Sequence, residues 1–334
     1  MCPSRYNLTH LRYNRAPFHD YIFGTFPAER ECAMITSVPY PDQPNPNPGY
    51  PNMETEQSSG GKLVLLCIGA HPDDESLGNG GTLARYHDEG VEIHLVTATR
   101  GERGWFGPEE EYPGPEALGR IREAELMAAA RVLGISTVSF LDYIDGELDQ
   151  APHDEAVDRL VSHIRRIKPH VALTFGPDGS YGHPDHIAIS QLATAAAVHA
   201  ADCTFRDPED REPHTLAKLY YMAISGRDAR LYQDVFGELI MHIDGVERRV
   251  VPWPEWMITT RIDTEPYWRT VHKAISCHRS QLPGYDTLLA QPKDKLRTLW
   301  SYMTYYRAFS TVNGGRALET DLFEGIRPPA PHSK

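Results

Sequence analysis

From Lys62 onward, short apolar runs alternate with longer segments of helical period, and this alternation constrains the fold more than any other feature of the chain. "KLVLLCIG" (62–69) is a continuous apolar run of strand length, as expected for a parallel strand buried on both faces. "VEIHLVTAT" (91–99), "TVSFLDY" (137–143), "HVALTFG" (170–176) and "KLYYMAI" (218–224) read as further strands. Between them, "GTLARYHDEG" (81–90) reads as a short helix closed by Gly90. "PEALGRIREAELMAAARVLGI" (115–135), "HDEAVDRLVSHIRRIKP" (153–169) and "PDHIAISQLATAAAVHAA" (184–201) read as longer helices. Such alternation predicts βαβ units with right-handed crossovers, hence an α/β fold around a mostly parallel sheet flanked by helices. After Asp202 the pattern weakens. "EPYWRTVHKAISCHRSQ" (265–281) and "KDKLRTLWSYMTYYRAFS" (293–310) read as C-terminal helices. Residues 226–262 carry no assignment and leave room for a small additional sheet.

The first 60 residues stand apart. "YPDQPNPNPGYPN" (40–52) is rich in Pro and Asn, and "ETEQSSGGK" (54–62) is a polar lead-in. Neither has apolar periodicity, so residues 1–60 are expected to be a disordered or poorly ordered extension, and 61–330 the folded domain. Met34 and Met53 stand as alternative translation starts, because folding logic begins only at Lys62.

Charge and cysteine usage exclude some functions. With 33 Lys and Arg against 46 Asp and Glu, the formal net charge is −13, which argues against nucleic-acid binding. No stretch approaches 18 uninterrupted apolar residues, so no membrane span is expected, and the N-terminus lacks a signal-peptide layout. The five cysteines are scattered, with no C-x-x-C pair, and read as free thiols of a reducing compartment, by default the cytoplasm.

Two short stretches carry the chemistry. "HPDDE" (71–75) follows the first strand directly, and "HPDH" (183–186) follows the fourth and opens a helix. Carboxylates at the mouth of a buried strand are costly unless paired, and a bound cation is the obvious partner. Both elements fall at the carboxyl ends of strands, the edge where open α/β sheets bind ligands. His71, Asp73 and Asp74 are therefore expected to meet His183, Asp185 and His186. Either H-P-D alone reads equally well as a helix start with Pro in its first turn. The repetition at equivalent strand ends favours a site. Two imidazoles and one carboxylate form an open three-ligand set, the catalytic zinc pattern, and Fe(II) suits the same donors. One aspartate as ligand, its neighbour as general base and a spare histidine opposite would complete a hydrolytic centre. Gly78 and Gly80 do not make a dinucleotide fingerprint, since its third glycine would fall at Leu83.

"AHPDDESLGNGGTLA" (70–84) together with "GSYGHPDH" (179–186) resembles the PIG-L/LmbE-like family of zinc-dependent N-deacetylases. Within it the likeness is to the mycothiol-biosynthesis branch, which deacetylates an N-acetylglucosaminyl-inositol. It extends through "TRGERG" (99–104), "AISCHRSQ" (274–281) and "GGRALETDLFEGI" (314–326). The resemblance implies a Rossmann-like domain with His71, Asp74 and His186 as zinc ligands and Asp73 as general base. It implies His183 as the second catalytic histidine, oriented by Asp185, and Tyr181 as an aid to the tetrahedral intermediate. Arg122 and Asp145 are implied as sugar contacts. The implied substrate is a small amino-sugar conjugate, and a homo-oligomer is compatible with all of this. Residues 1–60 and about 202–262 depart from the family pattern, and Gly78 replaces a small polar residue. The motifs leave three rivals: an amidase acting on thiol conjugates, a metal-dependent phosphoester hydrolase, and a non-catalytic sugar-binding protein. The phosphoesterase would exhaust the candidate ligands and leave no base. Retention of both Asp73 and His183 speaks against a non-catalytic protein.

Overall fold

The five apolar runs form β1 (Val64–Gly69), β2 (Glu92–Thr99), β3 (Thr137–Tyr143), β4 (Val171–Phe175) and β5 (Lys218–Met222). They were located in a computed structural model that describes residues 61–243 and 245–327. These strands lie parallel in the order β3-β2-β1-β4-β5. Two more, β9 (Tyr302–Ser310) and β8 (Thr260–Asp263), extend the sheet beyond β5 to seven strands, with β9 antiparallel to both its neighbours. The pair β6 (Ile240–Ile243) and β7 (Val246–Arg249) forms a separate two-stranded antiparallel sheet, the small addition for which the sequence left room. The expected extension over residues 1–60 lies outside the described residues.

Both faces of the sheet are covered at its centre, which explains why β1 and β4 are almost wholly apolar. Leu65 and Cys67 of β1 enter one core with Leu83 of α1 (Asp74–Asp88) and Leu126 and Leu133 of α2 (Pro115–Leu133). Leu66 and Ile68 point the other way, into a core with Leu160 and Ile164 of α3 (His153–Ile167) and Ile189 of α5 (Pro184–His199). Each such fully buried side chain contributes about 1.5–3 kcal/mol. A third cluster joins Val271 of α7 (Trp268–Ile275), Leu288 of α8 (Leu282–Leu289) and Leu296 of α9 (Lys293–Leu299) around Trp300. Among the described residues, no helix is long and apolar enough to cross a membrane.

Three expectations require correction. First, the helix expected at 81–90 begins two turns earlier, at Asp74, so the acidic motif lies on α1 itself. Its glycines are packing residues and not breakers: a Cβ on Gly81 would stand 2.6 Å from Thr264 Cβ, and one on Gly78 2.5 Å from Met222 Sδ. Second, the 293–310 helix ends at Leu299, and the Tyr- and Thr-rich remainder is strand β9. Aromatic and β-branched residues suit a pleated surface, and two strand partners outweigh the helical spacing. Third, only Trp268–Ile275 of the 265–281 segment is α-helical, and the chain then turns to bring His278 inward.

This topology fixes where a ligand can sit. From β1 the chain winds one way to β2 and β3, and from β4 the other way to β5. Between β1 and β4, whose register pairs Leu65 with Val171, lies the switch point at which doubly wound sheets open a crevice.

Candidate metal centre and active site

Both H-P-D elements lie at that crevice, and each is shaped by its own backbone. After β1 the chain turns sharply into α1 through Asp73, which holds φ 112° and ψ −24°. Its backbone N–H donates to Glu75 Oε2 at 3.0 Å. Glu75 is in turn fixed by His278 Nε2 at 2.8 Å, both side chains being fully buried. After β4 an irregular turn, α4 (Gly179–Gly182), carries Ser180 at φ 64°. Pro184 then opens α5, and His183 caps that helix by accepting the Asp185 N–H on Nδ1 at 3.1 Å.

His71, Asp74 and His186 each offer a donor atom within 4.8 Å of the others. Their second atoms are already committed. His71 Nε2 lies 3.0 Å from Asp185 Oδ2 and 3.1 Å from Asp145 Oδ1. His186 Nδ1 lies 3.3 Å from the Gly179 carbonyl. Asp74 Oδ2 accepts the N–H groups of Ala70 and His71, each at 2.8 Å. With those ring N–H groups given to oxygen and both rings neutral, as metal ligands must be, His71 Nδ1 and His186 Nε2, 3.2 Å apart, would turn their lone pairs toward the same space. Asp74 Oδ1 is 3.5 Å from His186 Nε2. Converging lone pairs repel unless a cation lies among them, so the donor set fits a divalent metal. Burial, and then the neighbouring His71, hold His186 well below the usual histidine range, which keeps it neutral as a ligand must be. Burial raises Asp74 to about 7, against the pull of His71. A cation would favour its ionised form.

Asp73 is directed differently. Its Oδ2 accepts Arg122 Nη2 at 3.2 Å and the Tyr285 hydroxyl at 2.7 Å. Arg122 is buried and also donates to the carbonyls of Gly101 at 2.8 Å and Pro72 at 2.5 Å. It is thus locked to the Asp73 turn as well as lining the cavity. Asp145 lines the cavity too, but its carboxylate is engaged by the His71 ring and by the Arg103 N–H at 3.0 Å. The Asp185 carboxylate hydrogen-bonds to His71 and not to His183, accepting the N–H groups of Gly146 at 2.7 Å and Leu148 at 3.1 Å behind it, and it acts on the His183 imidazole through its charge, which pulls that pKa upward. A completely buried carboxylate takes the strongest donors available, and only the Asp185 backbone meets His183. Burial and the nearby His71 bring His183 down to about 4. Tyr181 stands edge-on to both His183 and His186, with ring centroids 5.9 and 5.3 Å away.

Tyr285 and the Glu75–His278 pair were missed as site residues. Their contacts to the motif span 212 and 203 residues. A histidine in the apolar "AISCHRSQ" stretch was the one visible signal.

His71, Asp73, Asp74, His183 and His186 form the floor of a cavity of about 710 Å³. Its upper wall comes from α6 (Gly226–Phe236), β6 and the segments around Tyr285 and Met303.

Residues 66–197 match the protein family described as PIG-L, GlcNAc-PI de-N-acetylase. The 1D-myo-inositol 2-acetamido-2-deoxy-alpha-D-glucopyranoside deacetylase of Streptomyces avermitilis is 36% identical over 292 residues, covering 79% of this chain and 97% of that protein. The protein of the same name from Rhodococcus erythropolis is 34% identical over 293 residues, with 78% and 97% covered. Among solved structures, a conserved protein of Thermus thermophilus aligns with TM-score 0.54 and 25% identity, over 75% of this chain and 97% of that one. The N,N'-diacetylchitobiose deacetylase of Pyrococcus horikoshii shares the fold, with TM-score 0.53, 22% identity and coverage of 73% and 83%.

Proposed function

This chain belongs to the PIG-L/LmbE-like family of N-deacetylases, and from that premise we propose that it hydrolyses the N-acetyl amide of an N-acetylglucosamine-type sugar conjugate to acetate and a free amine. The observation that carries the reading is the convergence of three unspent donor atoms beside a fourth, differently held carboxylate. His71, Asp74 and His186 would hold the cation. Zinc is the metal that this N/O donor set suits, with Fe(II) accommodated by the same atoms. When bound, the cation supplies Lewis acidity for the amide carbonyl and makes water more acidic.

The remaining steps belong to side chains. Asp73 presents Oδ1, the oxygen not occupied by Arg122 or Tyr285, and takes the proton of the attacking water. His183 has its Nδ1 fixed as acceptor by the α5 backbone, so its other nitrogen carries a proton toward the cavity. From there it donates a hydrogen bond to the developing oxyanion, while the proton that Asp73 took from the water passes to the leaving nitrogen, which restores the carboxylate and leaves His183 neutral. Tyr181 closes the same side. Arg122 and Asp145 line the sugar side, where their fixed positions would orient the ring. Residues 61–330 act as the deacetylase domain, and the free thiols Cys67, Cys203 and Cys277 fit a reducing, cytoplasmic setting.

Amine release from methyl N-acetyl-α-D-glucosaminide, with metal analysis of the same samples, tests the assignment. Asp73→Asn is expected to keep its metal and lose rate by about 10²–10⁴. Asp74→Asn, His71→Ala and His186→Ala are expected to lose metal and rate together. Metal retention in all three ligand variants, or exchanged behaviour of the two aspartates, overturns the roles.

A further inference from the structure

Among the described residues, the closest pair of aromatic rings lies at the metal centre. Phe175, the last residue of β4, stands face to face with the imidazole of His186, with ring centroids 3.9 Å apart and planes 12° from parallel. His183 stacks on the same imidazole at 4.7 Å and 25°. Two near-parallel rings this close to a third cannot share one of its faces. His186 is therefore sandwiched between Phe175 and His183. In its own plane the ring is held by one 3.3 Å contact, from Nδ1 to the Gly179 carbonyl. A single contact of that length selects a tautomer but holds an orientation weakly. The two stacked neighbours fix the plane in which the Nε2 lone pair points.

The phenyl ring also brings an electrostatic preference. Its face is negative. The face of a neutral imidazole is electron-rich as well, so a close parallel stack gains dispersion but little electrostatic attraction. A cation on Nε2 draws electron density out of the imidazole. The same stack then becomes attractive, as a cation over an aromatic face is. Phe175 and His186 are both buried, so water screens this term little. An aliphatic side chain could fill the apolar core that Phe175 joins, but it could not supply this dependence on charge.

We propose that Phe175 is a positioning residue of the metal centre: its face sets the plane of His186 and favours the metal-bound state of that imidazole over the empty one. The proposal rests on His186 being a ligand, as in the reading above. It assigns part of the centre's affinity to a side chain that offers no donor atom.

The test measures zinc affinity of the full-length protein, without substrate, by competition with a chromophoric chelator. Mono-, tri- and pentafluorinated phenylalanine at position 175 keep the ring nearly unchanged in shape while withdrawing negative charge from its face in steps. The zinc dissociation constant is expected to rise along the series, by about two- to thirtyfold at the pentafluorinated ring. Urea denaturation of the metal-free forms is expected to stay level, because the apolar volume is kept. Phe175→Leu is expected to weaken zinc binding and, by leaving a gap in the core, to lower metal-free stability as well. A dissociation constant that is flat or falls with fluorination overturns the proposal. So does a loss of metal-free stability that parallels the loss of affinity, which would place the effect in folding. His186→Ala, measured alongside, separates the two readings. If it loses zinc while the fluorinated series is flat, the ligand assignment stands and the role of Phe175 falls. If it binds zinc as the unaltered protein does, both fall.

Discussion

Asp73 holds a φ of 112°, a conformation that costs a non-glycine residue roughly 1–3 kcal/mol and persists only where neighbours impose it. Glu75 clamps the backbone N–H of Asp73, while Arg122 and Tyr285 clamp its carboxylate. The aspartate is thus fixed before any substrate arrives. Tyr285→Phe removes one of the two donors to Oδ2 and keeps the ring that lines the cavity. Because a hydrogen bond to a charged group is worth about 1.5–3 kcal/mol, kcat is expected to fall roughly ten- to hundredfold with metal content unchanged. Steady-state kinetics beside metal analysis check this, and a variant that loses metal would show that Tyr285 acts through the ligands. The motif residues were legible because both H-P-D elements put metal-binding side chain types next to each other in sequence. Tyr285 and His278 were not, since nothing in a tyrosine or a histidine near a helical stretch says that the fold will carry it across the sheet. Asp185 was legible as a member of the cluster but not in its direction: the sequence places it next to His183, whereas the helix turns its side chain toward His71.

At the scale of elements, the glycines of α1 separate propensity from packing. Gly80 and Gly81 both lie in the helix interior, where alanine is favoured over glycine by about 1 kcal/mol. A Cβ on Gly80 meets Val271, Leu133 and a backbone oxygen at 3.5–3.7 Å, ordinary contact distances. One on Gly81 meets Thr264 at 2.6 Å. Gly80→Ala is therefore expected to stabilise the protein by about 0.5–1 kcal/mol. Gly81→Ala is expected to destabilise it by a net amount of order 1–2 kcal/mol, because overpacking outweighs propensity. Urea denaturation of the two variants reads the difference, and equal shifts would contradict the packing argument. The same contrast explains why the helix start was not legible. Three glycines in four positions (78, 80 and 81) argue against a helix until the close approach of α1 to Thr264 and Met222 is known. Strands β1, β2, β4 and β5 were legible because burial leaves a local, largely apolar signature, and the edge strand β3 because Val138, Phe140 and Leu141 keep enough of it. Strand β9 was not, because its amphipathic residues follow a true helix without a break in spacing, and its strand character comes from partners roughly 40 to 90 residues away.

Across the whole molecule, the mixed half of the sheet is tied by one carboxylate. Glu319 accepts Lys218 of β5 at 2.6 Å, Arg307 of β9 at 2.7 Å and Thr260 of β8 at 2.9 Å, and it is almost fully buried. Glu319→Gln leaves a buried lysine uncompensated and is expected to cost about 3–5 kcal/mol at neutral pH. Burial pushes the carboxyl up, but Lys218, Asn313 and Tyr220 outweigh it and hold it down at about 2. Because the folded pKa is depressed, the stabilisation is full above the ordinary glutamate range and is lost as pH falls from about 4.5 toward 2. Acid titration of stability should show this slope in the native protein and a flatter one in the variant. An unchanged slope would place the acid sensitivity elsewhere.

The switch-point position of the metal ligands has a kinetic consequence. His71 and His186 are 115 residues apart and meet only after β4 has docked against β1, a pairing that closes a long loop. A nascent chain that has made β1 to β3 owns half a site and has no high-affinity hold on a cation. Ion capture is thus expected to come at the end of folding as a report that the sheet is complete, and a chelator present during refolding should leave the folding rate untouched.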